Sequence, residues 1–176
     1  DEKNKQDEKN TVRQAPVLPE VTAAPKTGTP THGVYVEGDP NMLVRFARCC
    51  NPVPGDDIVG YITRGRGVTV HKSDCVNMLH SEQERRIRVA WAENKEENFT
   101  ANLQIICYDH PSLLGELSAF FDEAAIPMTA MSVRINKNKT VTILMTVRVQ
   151  SREQLDKAIA RLHRRSDVIE AYRSNA

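Results

Sequence analysis

From residue 99 onward the apolar and polar positions fall into a regular order. Phe99, Ala101, Leu103, Ile105 and Cys107 alternate with Thr100, Asn102, Gln104 and Ile106, the period of a strand with one buried face. Leu113, Leu117, Phe120, Phe121 and Ala124 then recur at helical spacing, and Pro111 suits a first helical turn. Met131, Val133 and Ile135 alternate with Ser132, Arg134 and Asn136. After the turn Asn136-Lys137-Asn138-Lys139, Val141, Ile143, Met145, Val147 and Val149 alternate again, which predicts a hairpin. Ser151 with Gln154 is a capping box opening a second helix that buries Leu155, Ile159 and Leu162, with Glu153 and Lys157 paired outside. Residues 168–172 close as a strand. The order β-α-β-β-α-β predicts a ferredoxin-like unit, two helices on one face of a four-stranded antiparallel sheet.

Residues 34–92 are organised differently. Apolar runs at 43–47, 58–62, 68–70 and 87–91 are separated by the turn clusters Asn51-Pro52-Val53-Pro54-Gly55-Asp56-Asp57 and Thr63-Arg64-Gly65-Arg66-Gly67. These predict short strands with tight connections, and residues 73–80 predict a short helix with Ser73 as its N-cap. The fold class is therefore α+β, a small mixed β-rich Cys/His module at 34–92 followed by the ferredoxin-like unit at 99–176. Residues 1–33 carry Pro16, Pro19, Pro25 and Pro30 and no aromatic residue, so they read as a flexible linker. Residues 93–98 form a second, polar linker.

Composition narrows the function classes. With 24 Lys+Arg against 23 Asp+Glu the chain is no global polycation. No apolar run approaches the roughly 20 residues of a membrane helix, so no membrane role is expected. The polar start shows no signal peptide, and the missing initial Met reads as a processed or excised piece. Four Cys in 176 residues do not form a disulfide scaffold, which points to a reducing, cytoplasmic setting.

Two places carry candidate chemistry. Cys49-Cys50 with His71 and Cys75 supplies a Cys3His set that zinc accepts. The spacing is not the usual C-x2-C, and adjacent Cys on a strand point to opposite faces, so a bend at Asn51-Pro52 is required to aim both. Small buried apolar Cys residues, a vicinal disulfide or redox switch and, least supported, a Cys/His nucleophile are the other readings. Next to this set, Arg64-Gly65-Arg66-Gly67 lacks the spacing of a phosphate-binding loop, but it presents two guanidinium groups near His71 and Lys72, suited either to an RNA backbone or simply to solvent. The second place is Asp109-His110-Pro111-Ser112-Leu113-Leu114-Gly115, at a helix N-terminus. Free N–H groups there suit a carboxylate, Asp109 suits an ammonium, and Gly115 permits close approach; a plain capped turn is the alternative.

The run Val44-Arg45-Phe46-Ala47-Arg48-Cys49-Cys50-Asn51-Pro52-Val53-Pro54-Gly55-Asp56, then residues 58–71, then Asp74-Cys75, resembles the zinc-finger-like or ribosome-intersubunit domain of long RelA/SpoT homologues, the stringent-response (p)ppGpp synthetases and hydrolases. Residues 99–176 resemble the ACT domain of the same proteins, through Asp109-x-Pro111-x-Leu113-Leu114-Gly115. The resemblance implies that the catalytic domains lie outside these residues, so this chain itself neither makes nor hydrolyses (p)ppGpp. It implies a regulatory fragment that docks on ribosomal RNA when uncharged tRNA fills the A site and relays that state to the catalytic half. It places the Cys/His positions on Cys49, Cys50, His71 and Cys75, and the ribosome-contacting arginine on Arg66, with Arg64, Lys72, Arg45 and Arg48 as further RNA-binding candidates. It also implies an amino-acid site, branched-chain in some members and often across an ACT homodimer, formed by Asp109, His110, Leu113, Leu114 and Gly115 with Thr129, Ala130 and Met131. His110 and Pro127 depart from the usual ACT pattern, and Pro127 removes a backbone donor. The alternative is a stand-alone amino-acid-sensing ACT module carrying a zinc-binding domain.

Overall fold

The computed structural model describes residues 30–38, 42–93 and 98–175. The linker expected at 1–33 lies outside them except for residues 30–33, as do residues 94–97 of the second linker.

In the first unit, β2 (Val44–Phe46), β3 (Ile58–Thr63), β4 (Gly67–Lys72) and β5 (Arg86–Ile87) form one sheet in the order β2-β4-β3-β5. Strand β2 runs parallel to β4, whereas β3 is antiparallel to both its neighbours. The β3–β4 turn requires Gly67, whose φ is +78° and whose Cβ, if present, would sit 2.1 Å from the Leu43 carbonyl oxygen. The apolar run at 87–91 is not one strand. After β5 the chain turns to a second partner, and β6 (Val89–Trp91) pairs with β1 (Val34–Val36), a strand the sequence pattern did not reveal. Val34, Val44, Ile58, Val68, Val70 and Val89 close a small core between these sheets. The short helix α1 (Val76–Leu79) begins later than the sequence predicts: its N-cap is Cys75, with no side-chain cap, and Ser73 lies in the preceding turn.

The second unit has the expected order. Strands β7 (Phe99–Tyr108), β8 (Met128–Ile135), β9 (Thr140–Val149) and β10 (Val168–Ser174) form an antiparallel sheet in the order β10-β7-β9-β8. Helix α2 (Leu113–Glu123) buries Leu113, Leu117, Phe120 and Phe121, and α3 (Arg152–Leu162) buries Leu155, Ala158 and Leu162. The Ser151 cap forms, with the Gln154 N–H donating to Ser151 Oγ at 3.2 Å, while Gln154 Oε1 reaches one residue past the N-cap and accepts from the Gln150 N–H at 2.9 Å. Lys157 meets Glu153 at 2.7 Å.

The two units are joined by more than the linker. The loop leaving β2 reaches across, and Val53, fully buried, belongs to the core of the second unit. Phe46 and Trp91 stack at 5.6 Å, and both meet the Phe99 ring edge-on at 5.5 and 5.3 Å. Asp56 carries the polar counterpart. Its carboxylate, 1% exposed, accepts from the Val53 N–H at 2.9 Å and from both Arg173 terminal nitrogens at 2.9 and 2.8 Å. Arg173 also donates to the Asn51 carbonyl at 2.5 Å, and the Trp91 indole N–H donates to the Asp56 carbonyl at 2.9 Å. The Arg152 N–H donates to the Pro54 carbonyl at 2.7 Å, and Gly55 (φ +101°) lies where a Cβ would meet Arg152 Cβ at 3.1 Å.

Removing one partner of this hydrogen-bonded ion pair strips the other of its main compensation, Arg152 Nε being left 4.0 Å from Asp56 Oδ1. Asp56→Asn and Arg173→Met are each expected to cost about 3–5 kcal/mol, and the double variant less than their sum. Urea denaturation of the four proteins checks this; strictly additive losses would show that the two side chains act independently.

A candidate Cys/His metal centre and an arginine turn

The sequence pattern leaves adjacent Cys49 and Cys50 pointing apart, as they would on a strand. The strand in fact stops at Phe46, and residues 48–50 form a turn closed by the Asn51 N–H donating to the Ala47 carbonyl at 2.9 Å. The bend thus precedes Asn51-Pro52, with Asn51 itself at φ +41°. Both sulfurs then face His71, at the end of β4, and Cys75, at the N-terminus of α1. Cys49 Sγ lies 3.5 Å from His71 Nδ1, 3.6 Å from Cys75 Sγ and 4.0 Å from Cys50 Sγ, and Cys50 Sγ lies 3.9 Å from His71 Nδ1. All four donor atoms fall within 4.8 Å of one another.

These edges match a tetrahedral zinc site. Zinc–sulfur bonds of about 2.3 Å and zinc–nitrogen bonds of about 2.0–2.1 Å set S···S edges of about 3.8 Å and S···N edges of about 3.6 Å. The donor set is that of a closed structural centre, four protein ligands and no open position for a reacting water. Cys50 and Cys75 are buried, Cys49 is half-buried, and Ala47 and Met78 pack beside them. Burial pushes the Cys50 thiol up to about 12, opposed by the Lys72 N–H donating to its sulfur at 3.3 Å and reinforced by the neighbouring thiols. Without a metal, Cys50 is therefore a neutral thiol; a cation that replaces the proton reverses this. Burial also lowers the His71 pKa and keeps the imidazole neutral, the form that ligates.

The RNA-binding candidates share one sheet but do not all surround this cluster: the arginine turn expected next to His71 and Lys72 lies at the opposite end of the β3–β4 hairpin from them, because β4 runs extended from Gly67 to Lys72. Arg64 and Arg66 are exposed on the β3–β4 turn, and among the described residues neither guanidinium has an ion-pair partner. Arg45 is exposed on β2 opposite Thr69, and Arg48 is exposed on the Cys turn. Lys72 differs: it sits at the far end of β4 from the arginine turn, half-buried and paired with Asp74 at 3.2 Å. Arg85 stacks over Tyr61 at 4.7 Å and donates to the Ile62 carbonyl at 2.6 Å, an anchor that the sequence pattern did not single out.

The amino-acid candidates do not form one pocket within a chain. Leu113 is buried in the core, Asp109 and Leu114 are exposed, and among the described residues nothing lies within 4 Å of a Cβ placed on Gly115. His110 Nε2 meets Asp167 Oδ2 at 3.2 Å, and Arg165 bridges Asp167 (2.8 Å) and Glu116 (2.6 Å). The three ligand-type side chains His110, Glu116 and Asp167 converge, but the Arg165 guanidinium already supplies their positive charge. Its hydrogen bond holds the Asp167 carboxyl below the usual range. Thr129, Ala130 and Met131 lie elsewhere. Ala130 pairs with Thr146, which pairs with Asn102, whereas the Asp109 loop follows Tyr108, six residues along β7. At about 3.3 Å per residue the two groups are about 20 Å apart along the sheet.

In the metal-free protein the lowered His71 pKa makes stability depend on pH. The unfolded chain binds the proton more readily, so the contribution is present above about 6.5 and is lost as pH falls through the folded value. An imidazole NMR titration of chelator-treated protein should place the His71 midpoint below the ordinary imidazole value of about 6.5; a midpoint at or above it would contradict this environment.

Comparison with known proteins agrees with this architecture. Residues 34–92 match the family model described as the RelA/SpoT RIS domain, and residues 95–173 match an ACT domain model. The chain is 39% identical over 144 residues to the GTP pyrophosphokinase of Haemophilus influenzae, covering 80% of this chain and 19% of that protein. It is 31% identical over 144 residues to the GTP pyrophosphokinase of Escherichia coli K12, again 80% of this chain and 19% of that protein. The chain thus spans about a fifth of the length of these relatives. Among solved structures, the ACT domain from the GTP pyrophosphokinase of Chlorobium tepidum aligns with a TM-score of 0.40 at 14% identity, over 44% of this chain and 100% of that one. With a RIS domain and an ACT domain in succession, the chain belongs to the RelA/SpoT family and corresponds to its C-terminal regulatory region.

Proposed function

We propose that this chain attaches to the ribosome through its RIS domain, with the Arg64-Gly65-Arg66-Gly67 turn against ribosomal RNA, and relays the presence of uncharged tRNA to catalytic domains of the same protein. The observation that carries the reading is that turn: two exposed guanidinium groups, free of acidic partners among the described residues, held at the tip of a hairpin. Phosphate oxygens are their natural counter-charge, and such contacts weaken steeply with salt. Arg45 and Arg48 extend the basic surface, whereas Lys72, paired with Asp74, contributes less. Zinc at Cys49, Cys50, His71 and Cys75 would fix the Cys turn and α1 against β4 and so hold the arginine surface in shape. The chain then serves as a binding module with no turnover chemistry of its own.

Arg66→Glu is expected to lower ribosome co-sedimentation at low salt by about tenfold and to flatten its salt dependence, with folding unchanged. Equal binding by both proteins would remove Arg66 from the contact. Metal analysis of protein expressed with zinc is expected to give one zinc per chain, and none after Cys49→Ser with Cys75→Ser; a metal-free wild type would leave the four side chains as packing groups.

A second reading, amino-acid sensing by the ACT domain, is supported by the open space at Gly115 and the exposed Asp109 carboxylate. Because Thr129, Ala130 and Met131 lie at the other end of the sheet, a site using both groups needs two copies. The β8 edge, with exposed Met131, Val133 and Ile135, is the surface for such an ACT homodimer. Calorimetry with millimolar valine and isoleucine should then give heat together with a shift to dimer in sedimentation. No heat and no shift would retire this reading.

A further inference from the structure

Three free thiols around one imidazole have a second chemistry besides metal binding. Cys49 and Cys75 come from segments 26 residues apart in the chain, yet their sulfurs stand 3.6 Å apart. Closing that gap to the roughly 2.05 Å of a disulfide needs a movement of about 1.5 Å, within reach of a turn and a helix N-terminus. The three thiols are not equivalent. Cys49 is half-buried and open to a small reagent, whereas Cys75 is buried directly behind it. Cys50 is buried, with its sulfur accepting the Lys72 N–H at 3.3 Å. Cys49 and Cys50 also pair badly with each other, because consecutive Cα atoms are about 3.8 Å apart, short of the 4.4–6.8 Å usual in disulfides.

We propose that Cys49 and Cys75 form a reversible disulfide, with Cys49 the attacking thiol, Cys75 the resolving thiol and a low-molecular-weight disulfide such as oxidised glutathione the oxidant. Cys49 loses its proton to solvent and attacks one glutathione sulfur, and the other glutathione leaves as a thiolate. Cys75 then loses its proton to solvent and attacks Cys49 Sγ of the mixed disulfide, releasing the second glutathione. Two protein thiols are oxidised by two electrons, and one glutathione disulfide is reduced to two thiols. The bond removes two of the four donors, so disulfide and metal exclude each other. It also ties α1 to the turn that runs on into Asn51 and Val53, the residues seated against the ACT domain. The pairing uses the same cluster as the proposed zinc site but does not require that zinc bind there.

The test equilibrates the chelator-stripped chain with mixtures of reduced and oxidised glutathione, blocks remaining thiols, and separates tryptic peptides. Cleavage after Arg48, Arg64, Lys72 and Arg85 puts Cys49 and Cys50 on peptide 49–64 and Cys75 on peptide 73–85. The expected major product links the two peptides, disappears with dithiothreitol, persists in Cys50→Ser and is lost in Cys49→Ser. Fragmentation of the wild-type linked pair places the bond on the first or the second cysteine without relying on any variant. Glutathione adducts alone, a bond within peptide 49–64, or a link through Cys50 would each overturn the proposal. A parallel sample loaded with zinc before oxidation separates the two readings. Linking in the stripped protein supports the disulfide whatever zinc does, and slower linking after zinc loading bears only on the metal site.

Discussion

A carboxylate that is withdrawn from water must find its compensation inside the protein, and Asp56 finds it across a domain boundary. Its two oxygens are satisfied by the Val53 N–H and by the fork of Arg173, which comes from the last strand of the ACT domain. Fixing Asp56 fixes the loop before it. Asn51 lends its carbonyl to the same guanidinium, Val53 fills the ACT core, and Pro54 accepts the Arg152 N–H at the start of α3. The loop has no regular structure of its own, and its conformation is set by what it touches on the far side.

That same loop begins at Cys49 and Cys50. The turn that gathers four donor atoms and the loop that docks the ACT domain are consecutive pieces of one segment, with only Asn51 and Pro52 between Cys50 and the buried Val53. The Cys/His cluster sits on one face of the β3–β4 hairpin, while the opposite face of the hairpin supplies the small valine-rich core. The arginine turn lies at the hairpin's tip. A short hairpin is too small to bury much surface alone, and the aromatic trio of Phe46, Trp91 and Phe99 makes up part of the deficit by packing it on the neighbouring domain.

Legibility from the sequence followed the period of the pattern. The ACT unit was readable element by element, because β7 and β9, each with one buried face, and two amphipathic helices repeat a strong signal, although β8 leaves its alternating Met131, Val133 and Ile135 exposed at the sheet edge. Even the Ser151–Gln154 cap and the Glu153–Lys157 pair stand where the pattern puts them. The RIS unit was harder, since strands of two or three residues carry too few alternations to define a face. Strand β1 was missed for that reason, and the 87–91 run hid a change of partner between Ile87 and Val89. Ser73 has a capping side chain but stands two residues too early, because the chain is still turning off β4. The Cys/His cluster was visible as a residue set and not as a geometry, for a three-residue turn decides where adjacent sulfurs point. Asp56 and Arg173 were missed outright. The available signal was an arginine at an inward position of β10, opposite buried Leu103, where an apolar residue belongs.

Val53 has a further implication for where one domain ends and the next begins. Residues 34–92 and 95–173 are separate units by sequence family, yet one side chain in the interior of the second is contributed by the first. An ACT domain severed from its neighbour would keep its whole sheet and both helices and still have a notch in its interior, with an arginine facing that notch and nothing to neutralise it. Recombination of such modules between proteins is therefore constrained at a point some forty residues upstream of the apparent seam.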